Sequence, residues 1–181
     1  MSPLVVVLLG TDHHPFDRLV EWADAAADRR PGVRFVVQHG MTRPPVNAEA
    51  HDFLHHGLLC ELLDQASAVV SHGGPGVITE AREAGHVPLC VPRDPRLGEH
   101  VDGHQQRFAA MMGSVGVVRL VEDPAGFERE LDAALLVGRA QGPAPVLEAR
   151  QAARARAAVE LTEVMTAVRP HGLRRRRHDV V

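Results

Sequence analysis

The chain has 181 residues, 45% of them apolar, and a net charge of −3, so it can bury one ordinary core and has no global attraction to nucleic acid. All 20 basic residues are Arg and are unevenly spread: residues 1–142 carry 12 Arg against 19 acids, and residues 143–181 carry 8 against 4. Cys60 and Cys90 form neither a metal motif nor a disulfide framework and read as buried reduced thiols. Leu4–Leu9 lacks a basic flank and is too short for a signal peptide. No apolar run nears the roughly 18 residues that span a bilayer, which points to a cytoplasmic chain.

Leu4–Leu9 is a continuous apolar run, as a central strand of a parallel sheet requires. Gly10-Thr11 follows, and Pro15–Ala23 takes helical periodicity. Val33–Gln38 reads as a strand, Met41–Glu49 as a loop around Pro44-Pro45, Ala50–His56 as a short strand and Leu58–Ala66 as a helix. Ala68–Ser71 is a strand and Pro75–Ala84 a helix; Pro88–Pro92 is a further strand bounded by prolines. Glu99–Met112 reads as helix, Val117–Val121 as strand and Pro124–Leu136 as helix. This alternation predicts an α/β fold, a Rossmann-like open parallel sheet with helices on both faces. Ligands of such sheets bind beyond the carboxyl ends of the strands, where Gly10-Thr11, Ser71–Gly76 and Pro92-Arg93 should converge.

Gly138–Pro145 breaks the pattern, which places a first domain at residues 1–140 and a C-terminal helix and basic tail at 141–181. In the second segment Val146–Val168 is amphipathic, with Leu161, Val164, Met165 and Val168 on one face, and Arg174–Arg177 form a basic run. The helix reads equally as one folded back on the body or as a docking element for a partner, with its arginines near anionic lipid heads.

The most informative stretch is His72-Gly73-Gly74-Pro75-Gly76, followed by Glu80. A strand leads in, glycines bare the backbone, and Pro75 opens a helix at a position where its missing N–H is harmless. The first turn of a helix offers unpaired N–H groups and partial positive charge, which suits a phosphate. Glu80 lies about 6 Å further along the axis, placed to accept from ribose hydroxyls. The pattern is neither G-x-G-x-x-G nor a P-loop.

Ser71–Glu80, Val91-Pro92-Arg93 and Gly98-Glu99-His100-Val101 with His104-Gln105 strongly resemble the C-terminal domain of family 28 glycosyltransferases. The likeness is to small stand-alone subunits of that family, which share the Gly10-Thr11 and Pro15–Val20 signature: the catalytic subunit of the asparagine-linked-glycosylation UDP-GlcNAc transferase and bacterial exopolysaccharide glucuronosyltransferase subunits. The resemblance covers roughly residues 4–136. It implies the C-terminal half of a GT-B enzyme, an inverting, metal-independent hexosyltransferase that takes a UDP-sugar. Its facing half would be a membrane-associated acceptor subunit that brings the chain to the inner face of the cell membrane for polysaccharide or glycolipid biosynthesis.

By the same resemblance, His72 and the backbone of Gly73, Gly74, Pro75 and Gly76 hold the diphosphate and Glu80 the ribose. Gly10 and Thr11 lie beside the diphosphate, and His104 and Gln105 touch the donor sugar. Arg93 or Arg96 would add a cation against the leaving UDP; the alternative for both is a solvated loop arginine, a reading that suits Arg96 better than Arg93. Asp12, His13 and His14 are candidates for the base that deprotonates the acceptor, a role the partner could also fill. Twelve histidines raise a metal reading, but His51 with His55, and His100 with His104, lack the Glu of H-E-x-x-H and any Cys/His framework, so no metal and no cofactor are expected. The competing readings are a relative of UDP-sugar epimerases and a sugar-nucleotide-binding module without transferase activity.

Overall fold

The computed structural model describes residues 2–138. Its elements follow in the order β1 (Leu4–Leu8), α1 (Asp17–Asp28), β2 (Arg34–Gln38), β3 (Glu49–His51), α2 (His56–Gln65), β4 (Ala68–Ser71), α3 (Pro75–Glu83), β5 (Leu89–Cys90), a 3-10 turn at Pro95–Leu97, α4 (His104–Ser114), β6 (Arg119–Leu120) and α5 (Pro124–Val137). The six strands form one all-parallel sheet in the order β3-β2-β1-β4-β5-β6. Val6 of β1 pairs with Val36 on one side and Val69 on the other.

Alternation along β1 divides the core. Val5, Val7 and Leu9 pack with α1 and α5 through Phe16, Leu19, Val20, Phe127 and Leu131. Leu4, Val6 and Leu8 face the other way, onto Leu62 and Leu63 of α2 and Ala81 of α3. Ile78, Cys90, Ala109 and Val118 extend that second layer under α4. β1 is therefore covered on both faces, which is why it is apolar at every position. The chain leaves β1 toward β2 over one face and leaves β4 toward β5 over the other. The switch point, where a crevice opens at the carboxyl ends, falls between β1 and β4.

Helix ends obey local chemistry. Asp123 accepts from Gly126 N at 2.7 Å ahead of Pro124 and opens α5, and Gly138 at φ 66 closes it. On the same face α1 and α5 are fastened by Arg30, just past the end of α1, whose guanidinium reaches Glu128 at 2.6 Å, Asp132 at 2.6 Å and the Ala26 carbonyl of α1 at 3.2 Å. Arg29 pairs with Glu128 alongside.

Several expectations shift. β3 covers only Glu49–His51, because Phe53 and Leu54 leave the ladder and His55 caps α2 by accepting from Leu58 N at 3.2 Å. β5 and β6 pair over two residues each rather than five, since Pro88 and Pro92 have no N–H for a longer ladder. α4 starts at His104, not Glu99: Gly98 turns left-handed at φ 73, and Asp102 accepts from His104 N at 2.8 Å to open the helix there. Cys60 is exposed on the outer face of α2 beside His56, whereas Cys90 is buried as expected and its thiol is pushed up to about 12 by burial. The proposed C-terminal helix at 146–168 and the arginine run at 174–177 lie outside the described residues.

Candidate functional site

A pocket of about 430 Å³ opens at the switch point. Gly10 and Thr11 reach it from β1, His72 from β4, and Gly74, Pro75, Gly76 and Glu80 from α3. Most of the residues singled out by their spacing are therefore one wall.

The wall is built from the α3 terminus. Gly74 is the N-cap, with extended backbone and no side-chain cap, and Pro75 occupies the first turn. The first helical N–H to close onto a backbone carbonyl is that of Ile78, onto Gly74 at 3.1 Å, which leaves the N–H groups of Gly76 and Val77 directed outward. A Cβ added to Gly76 meets nothing within 4 Å, so packing within the protein does not ask for glycine there. Gly73 plays a different part: at φ +90 it turns the chain behind the wall, against Cys90 and Pro92. Glu80 is one turn along, 34% exposed, with Oε1 3.9 Å from His56 Nδ1.

His72 is enclosed between glycines. A Cβ on Gly10 would stand 2.6 Å from its Cε1, and one on Gly74 would strike its Nε2. Its Nδ1 donates to the Leu8 carbonyl at 3.3 Å. Burial, then the Arg93 charge, depress the imidazole to about 4, against the opposing pull of the Leu8 carbonyl and Asp12, so the ring is neutral near pH 7.

Residues that spacing had not flagged complete the pocket. Phe53 lies at its mouth, 68% exposed, with Leu54, His56 and Leu59 beside it. Gln38 Nε2 donates to the Gly10 carbonyl at 2.9 Å, and Gly40, at φ +59, leaves room for that same carbonyl. A bulky aromatic immediately after the carboxyl end of a strand was the available signal for Phe53.

Arg93 is not in the pocket lining. Its guanidinium is buried under the β1 and β5 loops, donating to Leu9 O at 2.9 Å, His14 O at 2.7 Å and Glu99 O at 3.0 Å. It stacks 4.8 Å from the Phe16 centroid. Three of its five N–H groups go to backbone carbonyls, and Nε has no partner among the described residues, so the head clamps loops. Glu99 is buried in the same knot, bridged by Arg18 at 2.8 Å. Arg96 points into solvent on Asp94.

His104 and Gln105 also fall outside the lining, and His104 belongs to a histidine cluster. Asp12 Oδ1 accepts from His14 N at 2.8 Å and His14 Nδ1 at 2.6 Å, and Asp102 makes the same turn with His104, at 2.8 and 2.5 Å. His100 sits between, 3.5 Å from Asp12, its ring 5.9 Å from His14 and 4.7 Å from His104. Asp12, His13 and His14, and separately His100, Asp102 and His104, each bring donor atoms within 4.8 Å. Burial alone would raise the Asp12 carboxyl, but the two His14 contacts and Arg93 outweigh it and bring it down to about 2. The Asp12 contact fixes the proton of a neutral His14 on Nδ1 and leaves Nε2 as a lone pair, the arrangement of an oriented base. Gln105 is buried, and its Oε1 has no partner among the described residues.

A parallel sheet with an anion-suited helix terminus at its switch point defines the class, a Rossmann-like α/β domain. The profile of the glycosyltransferase family 28 C-terminal domain matches residues 17–161, and the chain belongs to that family. Solved structures share the fold. The glycosyltransferase of kitacinnamycin aligns with TM-score 0.59 at 19% identity over 84% of this chain and 38% of its own. A calicheamicin glycosyltransferase aligns at 0.60 and 21%, over 93% and 43%. The UDP-GlcNAc 2-epimerase from Neisseria meningitidis, solved with UDP-GlcNAc, aligns at 0.51 and 13%, over 75% and 36%. The chain thus spans about two-fifths of the length of the solved glycosyltransferases. A search of the curated proteins finds no match.

Proposed function

We propose that the chain is the donor-binding half of an inverting, metal-independent UDP-sugar glycosyltransferase, completed by a membrane-associated acceptor subunit in polysaccharide or glycolipid biosynthesis. The observation that carries this is the α3 terminus, with bare N–H groups at Gly76 and Val77 facing a pocket that Glu80 closes one turn later. The diphosphate takes the helix N–H groups and the Gly10-Thr11 backbone, the ribose takes Glu80, and the base rests on Phe53 and Leu54. Charge growing on the departing UDP is met by fixed dipoles, which favour the transition state over the bound donor. A single helix terminus contributes about 0.3–2 kcal/mol, so the facing half must supply much of the remaining stabilisation. His14, oriented by Asp12, offers a base at the edge of the cleft.

The family match supports the donor-binding part of this reading. No helix among the described residues is long and apolar enough to cross a membrane. Calorimetry with UDP, UDP-sugars and NAD tests the reading. UDP should bind, and co-expression with an acceptor subunit should raise transfer from the level of the chain alone. Tight NAD binding with no response to UDP would overturn it.

A further inference from the structure

We propose that His72 is a proton-linked ligand of the diphosphate: the free chain presents a bare Nε2 lone pair to the pocket, and the bound anion recruits a second ring proton from solvent. The proposal rests on the donor-binding reading above and adds a regulation by pH to that same site.

The geometry fixes the tautomer. The Leu8 carbonyl accepts from both the His72 backbone N–H at 3.2 Å and Nδ1 at 3.3 Å. A carbonyl oxygen only accepts, so in a neutral ring the one proton sits on Nδ1. Nε2 has no protein partner among the described residues, and it is the corner that Gly10 and Gly74 leave uncovered on either side. That corner lies in the pocket lining beside the α3 terminus. A lone pair repels phosphate oxygens, whereas an N–H on the same atom donates to them. Binding therefore selects the doubly protonated ring.

The charges around the ring make this a switch, not a constant. Arg93 from the β5 loop and His100 from the loop before α4 disfavour the second proton, as does burial, and Asp12 from the β1 loop favours it. Across the pocket stand Glu80 of α3 and His56 of α2. The free ring takes its second proton only near pH 4. A diphosphate in contact brings opposite charge within the distance that raises the affinity of a titrating group for its proton by about 1–3 units, enough for the bound ring to stay charged to about pH 5–7. Between the free and bound values, each unit fall in pH should tighten binding by about tenfold.

The test uses UDP-glucose, whose diphosphate diester has no proton to exchange near neutrality. Ring nitrogen NMR on the free chain should show His72 protonated on Nδ1. Calorimetry at pH 5.5 in two buffers of different ionisation heat should show uptake of about 0.2–0.9 proton on binding, absent in the folded His72→Gln variant. An Nε2–H tautomer in the free chain, or binding with no proton uptake, overturns the proposal and leaves donor binding standing. No binding of UDP-glucose or UDP at millimolar concentration overturns both.

Discussion

Replacing Arg93 with Met should unfasten the loops under the cleft. The guanidinium makes three hydrogen bonds to carbonyls, of Leu9, His14 and Glu99, all within 3.0 Å, and stacks on Phe16. Bonds to a charged group are each worth about 1.5–3 kcal/mol, and relief of the buried charge offsets several kcal/mol of that sum. A net loss of about 3–5 kcal/mol remains, a large share of an ordinary domain's stability. For a chain of this size that lowers the melting temperature by about 6–20 °C. Thermal and urea unfolding of Arg93→Met, beside Arg93→Lys and Arg96→Met, provides the measurement. Lys keeps the charge but cannot reach three carbonyls in a fork, so it should fall between Met and wild type. Arg96→Met should melt with wild type, because Arg96 reaches only Asp94 in solvent. An Arg93→Met variant that melts with wild type yet no longer binds UDP would refute the clamp and return Arg93 to the ligand.

Glu80→Ala should weaken UDP binding by roughly tenfold, about 1.4 kcal/mol, and erase any preference for UDP over its 2′-deoxy analogue in calorimetry. Gly74→Ala leaves a backbone angle that alanine accepts, φ −71, but drives a Cβ into the enclosed His72 ring; stability should fall by about 1–3 kcal/mol and nucleotide affinity should collapse. His14→Gln should slow the assembled transferase by about 10² or more with little change in donor KM, and an unchanged turnover number would move the base to the other subunit. In acid, two groups act in separate windows. His72 is held below its ordinary 6.5, so the unfolded chain binds the proton first, and stability should fall from pH 6.5 to about 4, by up to about 3 kcal/mol. Asp12 is held below its ordinary 3.8, so its contribution is present above that value and is lost as pH falls toward 2. His72→Gln should flatten the first window and Asp12→Asn the second in urea titrations against pH.

The β4–turn–α3 unit was legible almost to the residue because its boundaries are chemical: an apolar run, glycines that bare the backbone, and a proline at the helix start. The pocket wall followed, since spacing along a helix is fixed by its rise. Arg93 was not legible. An arginine after a strand looks the same whether it turns outward or inward, and only the meeting of Leu9, His14, Phe16 and Glu99 over it decides. The start of α4 was misread for a related reason. His100 and His104 have helical spacing, yet Gly98 and the Asp102 turn take the intervening backbone out of helix and set the two rings edge to face. Cys60 was taken for a core residue from apolar neighbours, although its own helical phase turns it outward.

Arg30 spans two successive turns of α5 with one planar head while holding the Ala26 carbonyl of α1. Its acidic partners, Glu128 and Asp132, sit four residues apart, so the contact works like a ratchet tooth. For α5 to slip along α1 it would have to advance a full turn, about 5.4 Å, and would find no second pair of acids waiting. Small sliding adjustments between these two helices would break the Arg30 contacts. Any opening and closing of the cleft is left to its loops, or to movement of this whole body against whatever faces it.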